Sequence, residues 1–375
     1  MRKCILVLGY GILGGRVVDE IARAYPDADV HVGGRDAERL SKRVNLTRYA
    51  SLNYGPAADL HPVPIDVLRS DELASLLRTI KPDLILNTTS LVPWWRIDML
   101  PATSQARLKE AGSGIWAAPD LLPALRVREV LTRVEYAGMF VNGSYPDLIN
   151  MLIHDPNVGP ICGVGNVANV VPGIRLACAE LLGCNVCEIQ VRLVAHHYVA
   201  YNVPVTGTTN GAPCRLQVIR RGIDVSDRLS QELVFRTVAS KFARVKGIGG
   251  EAVAVSSAMS VINPLLLGSR ADCHAPGVAG LPGGYPIVID HRRVRLDLPS
   301  GMSVDEATSI NSHGGQWDGI QAVTSEGEVV VTDRASRICK DLLGYDPDGV
   351  TAANCEAKAF EMIEKFERYS SAVGV

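Results

Sequence analysis

Near the start of the chain, the stretch LGYGILGGRV (residues 8–17) restricts the fold more than any other. The residues leading into it, KCILVLG, form a short aliphatic run that predicts a fully buried strand of a parallel sheet. Those that follow place Val17, Val18, Ile21 and Ala22 at helical spacing, and Pro26 and Asp27 close the helix. ADVHVGGRD then reads as a second strand. Gly9, Gly11 and Gly14 therefore fall between the strand and the helix of a β-α-β unit. In that position the first glycine permits a tight turn, the second lets backbone approach a pyrophosphate, and the third lets helix and strand pack closely. Ile12 and Leu13 open the helix, whose free N–H groups and positive dipole end suit phosphate. The pattern predicts a dinucleotide-binding turn; the competing reading is a degenerate domain in which the glycines are only architectural.

The tip of the second strand bears on which dinucleotide. An acidic residue there holds a ribose 2′-hydroxyl, whereas an arginine nearby accommodates a 2′-phosphate. Here the tip is Gly33-Gly34-Arg35-Asp36. Arg35, with Arg39 and Lys42 on the next helix, predicts NADP; Asp36 leaves NAD open. The alternation continues with LHPVPIDV as a third strand, ending in Asp66 as a candidate for the adenine side, and DLILNTTS as a fourth. Asn87, Thr88 and Thr89 at its carboxyl end lie where open α/β sheets bind ligands. EYAGMFVN and GPICGVG read as two later strands, with Asn142, Asn166 and Asn169 as polar groups near the reacting end of the cofactor, or as turn and cap residues.

The motifs VLGYGILGGRVVDEIAR, VHVGGRDAERL and DLILNTTS, in that order, resemble the saccharopine dehydrogenase-like NAD(P)-dependent oxidoreductases over about the first 90 residues. That resemblance implies hydride transfer on an amino acid, imine or keto acid, and does not fix the substrate. VNGSYPDLIN and ICGVGNVANV are more loosely similar to lactate and malate dehydrogenases, in which an asparagine after a late strand meets the nicotinamide ribose and the substrate.

At 375 residues the chain exceeds one typical core. The expected architecture is α/β: a doubly wound Rossmann domain over 1–184, then an α+β domain with a mostly antiparallel sheet over 185–375, the C-terminal helices free to pack on either. A net charge of −2 gives no electrostatic reason to expect nucleic acid or an anionic membrane. No apolar run approaches the roughly 20 residues of a membrane span, and the N-terminal apolar run is better read as a strand than as a signal peptide. Nine scattered cysteines point to reduced thiols and a cytoplasmic protein. Cys184 and Cys187, with Cys273 and His274, lack the spacing of two zinc-ligand pairs, so no metal is expected.

Hydride transfer to a carbonyl or imine needs a proton donor near neutral pH, and histidine suits that task. VAHHYVAYN reads as a strand on which His197 and Tyr201 share one face and His196 and Tyr198 the other. His197 supported by Tyr201 is the expected acid–base group, with His196 as its alternate. The glycine- and proline-rich DCHAPGVAGLPGGYPI, with His274 and Tyr285, reads as a rival loop. Arg292, Arg293 and Arg295 on a hairpin are a candidate carboxylate anchor or a solvated face, and NSHGGQWDG is a further polar loop carrying Asp318. Trp94, Trp95 and Arg96 either contact substrate or form a packed loop. These readings converge on an NADP-dependent oxidoreductase for a small carbonyl, imine or hydroxy/keto acid, assembled as a homodimer. The alternatives are a catalytically silent NAD(P) sensor or scaffold, and a non-redox enzyme with tightly bound NAD.

Overall fold

The computed structural model describes residues 2–245 and 247–374. The six strands β1 (Cys4–Leu8), β2 (Asp29–Gly34), β3 (Asp59–Pro64), β4 (Leu84–Asn87), β5 (Met139–Asn142) and β6 (Cys162–Gly163) form an all-parallel sheet in the order β3-β2-β1-β4-β5-β6. The order reverses between β1 and β4, which opens a crevice at the carboxyl ends of those strands. Both faces are covered, so β1 is aliphatic on both sides: Ile5 and Val7 enter one core, Leu6 and Leu8 the other.

A second, antiparallel sheet holds β7 (Ile189–Ala195), β8 (Cys214–Arg220), β9 (Ile223–Asp224), β10 (Ala271–Pro276) and β11 (Gly284–Asp290), in the order β10-β11-β7-β8-β9, with β12 (Arg293–Leu296) also on β11. β13 (Ile320–Val323) and β14 (Val329–Val331) form a separate hairpin. The turns Arg221-Gly222 and His291-Arg292 join their strands through two residues of positive φ (49° and 81°, 47° and 65°), the geometry that matches strand twist.

Packing does not follow chain order. The Val171–Leu182 helix shares a core with β7 and β8, and the C-terminal Cys355–Ala372 helix packs with Ala117–Arg133 beneath the parallel sheet. The Glu251–Leu267 helix lies between the two sheets, joining the core formed by the Ile12–Ala24 helix, β1 and β11. Together with the turn before it, it forms a stretch of 21 residues, Gly247–Leu267, long and apolar enough to cross a membrane, which corrects the expectation that no run approaches that length. More than half of its most apolar window is buried inside the protein, as in a core helix.

Three local expectations fail for identifiable reasons. VAHHYVAYN is not one strand: β7 stops at Ala195 and a helix runs over His197–Thr206. The Asp147 carboxylate accepts from His197 N (3.0 Å) and the His196 ring accepts from Tyr198 N (3.4 Å), so the first N–H groups of a helix are satisfied there. DCHAP is strand β10 rather than loop, paired along its length with β11. NSHGGQWDG ends a helix, Val304–Gly314, whose start is a Ser-x-x-Glu pattern in which Ser303 accepts from Glu306 N at 3.1 Å.

The glycine turn is sterically committed. Gly9 has φ +92°, and a Cβ at Gly14 would lie 2.0 Å from the Gly9 carbonyl oxygen, whereas one at Gly11 would meet nothing within 4 Å. Gly14→Ala is therefore expected to destabilise the protein by at least about 1–3 kcal/mol in urea unfolding, as overpacking does. Gly11→Ala should lose far less; equal losses for the two would contradict the close helix–strand approach.

Candidate active site

The carboxyl ends of β1, β4, β5 and β6 carry the groups that matter. On the β1 side, Gly11 is exposed and caps the Ile12–Ala24 helix without any side-chain partner, which leaves the N–H groups of Ile12 and Leu13 uncovered by side chains. A Cβ at Gly11 would stand in open space, so this is a cradle with room for a phosphate. Thr88 Oγ1 donates to the Gly9 carbonyl at 2.8 Å and holds the turn. Gly34 ends β2, Arg35 is exposed, and Asp36 caps the next helix by accepting from Arg39 N at 3.0 Å. Asp66 follows β3 and accepts from Leu68 N at 3.0 Å. This donor set and open turn fit a dinucleotide.

Asn87 and Asn142 face one another on β4 and β5 and are fully buried. Asn87 Nδ2 donates to Asn142 Oδ1 (3.0 Å), and Asn142 Nδ2 donates to Asn150 Oδ1 (2.9 Å). Asn150 Nδ2 in turn donates to the Gly277 carbonyl at 3.0 Å. Thr89 Oγ1 donates to Asn87 Oδ1 at 2.6 Å. The two asparagines expected at the cofactor thus bond one another and, between them, Thr89, Ser144 and Asn150.

Beyond them a charged cluster forms where β5 and β7 end. Asp318, whose side chain is 5% exposed, accepts from Tyr145 Oη (2.7 Å), from Ser113 N (2.9 Å) and from His197 Nδ1 (3.0 Å). The His197 side chain is 26% exposed, and among the described residues nothing bonds its Nε2. Burial alone would lower the His197 pKa, but the Asp318 charge and hydrogen bond, with Asp147 behind, outweigh it and push the value up to about 9. Burial would raise Asp318; His197 chiefly, then His196 and Tyr145, hold it well below the usual carboxylate range instead. Burial, then the charge of Asp318, raises Tyr145 far above an ordinary phenol. The result is a cationic imidazolium with its outer nitrogen free, fixed from behind by a carboxylate: an arrangement that can donate a proton.

Around it, Asp147 accepts from His197 N and from Asn166 Nδ2. Asp120, bonded by Ser144 Oγ at 3.2 Å, is pushed up to about 6 by burial, against the hydrogen bonds of Ser90 and Ser144. Tyr145 and Asn166 both hold positive φ, 38° and 51°, rare for non-glycine residues and common where a site imposes geometry.

The other expected residues lie elsewhere or act otherwise. Tyr201 is one helical turn beyond His197 and half exposed, with no hydrogen bond to it. His196 is buried, caps the helix, and stands 4.0 Å from Asp318. His274 Nε2 accepts from Leu193 N at 3.1 Å, and burial pushes its pKa down to about 3, so it is a neutral acceptor within the second sheet. Arg292, Arg293 and Arg295 are exposed on their hairpin, and Arg96 pairs with Glu367. Tyr145, Asp147 and Asp120 lie outside the expected set; the signal in SYPDL is the helix start at Pro146, four residues after β5 ends.

No family model matches the chain, and no curated protein matches it. Solved structures do. The malate dehydrogenase of Cryptosporidium parvum aligns with TM-score 0.56 at 14% identity, covering 85% of this chain and 97% of that one. The lactate dehydrogenase of the same organism, solved with lactic acid and nicotinamide adenine dinucleotide, aligns with TM-score 0.53 at 15% identity over 85% and 98%. The lactate dehydrogenase of Eimeria maxima, solved with NADH and oxamate, gives 0.55 at 10% over 83% and 90%. At these identities the likeness establishes the fold: a Rossmann sheet with an antiparallel second sheet, in the arrangement of lactate and malate dehydrogenases.

The ion pair sets a pH window. The His197 value is raised, so its contribution to stability is complete below pH 6.5 and lost as pH rises through about 9. The Asp318 value is lowered, so the same pair is lost on the acid side as pH falls through that depressed value. Histidine NMR titration should find one imidazole titrating near 9, and Asp318→Asn should bring it below its ordinary 6.5. An unchanged titration in the variant would refute the pairing.

Proposed function

We propose that the chain is an NAD(P)-dependent oxidoreductase that interconverts a hydroxy acid and a keto acid, with His197 as the proton donor and acceptor. The observation that carries this reading is the His197–Asp318 pair at the carboxyl edge of the parallel sheet, the same edge that holds the open Gly9–Gly14 turn. The fold neighbours solved with lactic acid or oxamate support the substrate class.

A nicotinamide dinucleotide, when bound, supplies or takes up the hydride. The chain does the rest. The uncovered N–H groups at the start of the Ile12–Ala24 helix would hold the dinucleotide's pyrophosphate. Protonated His197 bonds the substrate oxygen through Nε2 and gives up its proton as the carbonyl is reduced; Asp318 stabilises the cation before that step and fixes Nδ1–H throughout. In the oxidative direction the neutral ring takes the proton back. Arg35 and Arg39 carry no ion pair among the described residues, while Asp36 is spent as a helix cap and Lys42 pairs with Glu38. That distribution supports NADP over NAD. The resemblance to saccharopine dehydrogenase-like proteins keeps amino-acid-derived imines in the substrate screen. Nine free cysteines support a reducing, cytoplasmic compartment, and a two-fold homodimer is the default assembly.

Titration with NADPH and NADH should show tighter NADPH binding that Arg35→Ala removes. With a substrate found among 2-keto acids, His197→Gln should lower kcat by about 10²–10⁴-fold while leaving dinucleotide affinity intact. The wild-type reduction rate should fall as pH rises through about 9, where His197 loses its proton. Absence of binding by either dinucleotide would end the oxidoreductase reading.

A further inference from the structure

We infer that Asp29, Asp59 and His61, with His31 beside them, form a binding site for a borderline transition-metal dication of the Zn²⁺ class. The site is built by repetition. The sequence Asp-Val-His at 29–31 begins β2, and Asp-Leu-His at 59–61 begins β3. The two strands are parallel neighbours, with Asp29 facing Asp59 and His31 facing His61. Residues i and i+2 of a strand share a face, so all four side chains emerge on one side of the sheet.

The donor atoms are already close. His61 Nε2 lies 3.3 Å from Asp29 Oδ1 and 3.6 Å from Asp59 Oδ2, and one donor atom from each of the three residues falls within 4.8 Å of the others. Zinc bonds of about 2.0–2.2 Å in a tetrahedron require donors about 3.3–3.6 Å apart. The His31 ring stacks on His61 with centroids 4.7 Å apart, outside the group of mutually close donors, which leaves the fourth position to water. A cation already spans this spot: the Arg2 guanidinium meets Asp29 Oδ2 at 3.0 Å and Asp59 Oδ2 at 3.5 Å. Both carboxylates keep access to solvent, at 31% and 53% exposed, so an incoming ion can reach them by displacing Arg2.

Imidazole with two carboxylates suits Zn²⁺, Co²⁺ or Ni²⁺, whereas Ca²⁺ and Mg²⁺ favour all-oxygen sets. The site lies at the amino ends of β2 and β3, and the candidate active site lies at the carboxyl ends of the same sheet. Bound metal would therefore clamp the edge strand β3 to β2 and take no part in hydride chemistry. The inference is independent of the proposed reaction.

The test is titration of the EDTA-treated full chain with Co²⁺, followed by visible absorption, and with Zn²⁺ by calorimetry. One equivalent of Co²⁺ should bind with a d–d spectrum free of thiolate charge transfer, and Zn²⁺ should displace it. His61→Ala and Asp59→Asn should each weaken binding at least about tenfold, and Arg2→Ala should strengthen it by removing the competing cation. Circular dichroism checks that the variants fold; Asp59→Asn, at a half-exposed side chain, keeps the test open if His61→Ala does not. No binding, binding unchanged in both ligand variants, or a thiolate band assigning the metal to cysteines would each overturn the inference.

Discussion

The buried carboxylate of Asp318 is the point on which the site depends. An ionised carboxyl with so little contact with water is costly unless its lone pairs are filled by good donors. The three that fill it come from Ser113, Tyr145 and His197, far apart in the chain. They tie the entry to the Ala117–Arg133 helix, the end of β5 and the end of β7 to one atom pair. The approach is made possible by two glycines. A Cβ at Gly112 would lie 2.3 Å from the Asp318 carbonyl carbon, and one at Gly319 would lie 2.2 Å from the Ala111 oxygen. Backbone contact this close brings Ser113 N onto the carboxylate, and the carboxylate then fixes the charge and direction of His197.

Beneath that point, the asparagine relay gives the site a rigid floor. Asn87 and Asn142 sit opposite one another at the last paired positions of β4 and β5, so their side-chain bond continues the lateral cross-links of the sheet beyond its backbone. Asn150 extends the relay to the Gly277 carbonyl, just past β10, and so joins the parallel sheet to the antiparallel one. Asn142 bonds both the N–H and the carbonyl of Ser144, and Tyr145, at φ 38°, follows directly. A strained conformation persists only where its surroundings over-determine it. Here the buried amides below and Asp318 above do so.

What the sequence made legible was whatever is local. The Gly9–Gly14 turn, its strand and its helix follow from residues within one β-α-β unit. His197 could be selected because its residue type suits proton transfer. Its partner could not: Asp318 stands 121 positions away, in a polar stretch whose composition suggests a loop and whose structure is a helix end and a turn. Periodicity puts the asparagines at 87 and 142 at strand ends, but it says which end of a strand a residue occupies and not which partners its amide bonds. The Asp29, Asp59 and His61 cluster at β2 and β3 is not apparent in the sequence for a related reason. Its two Asp-x-His repeats become a cluster only when the register pairs them.

The histidines show how far residue type alone falls short. His196 and His197 are adjacent, yet the first turns inward and lends a ring nitrogen to a helix N–H, while the second is charged by Asp318. His313, read as part of a polar loop, instead bonds the Ser309 carbonyl within its own helix at 2.8 Å. His274 answers a defect in the second sheet. β7 and β11 pair only at Ala195 and Gly284, and the carbonyl of Pro286, two residues further along β11, accepts from Asp297 N at 2.9 Å instead. Leu193 N, on the splayed part of β7, is then left without a strand partner, and His274 supplies the acceptor. A neutral imidazole is required for that, and burial in an apolar setting keeps it neutral. One residue type thus serves as helix cap, partner of a buried carboxylate, helix-end bond and acceptor within a sheet. Only for His197 do a fixed charge and a free outer nitrogen occur together beside the crevice, and that coincidence is set by Asp318, not by anything in the sequence around the histidine.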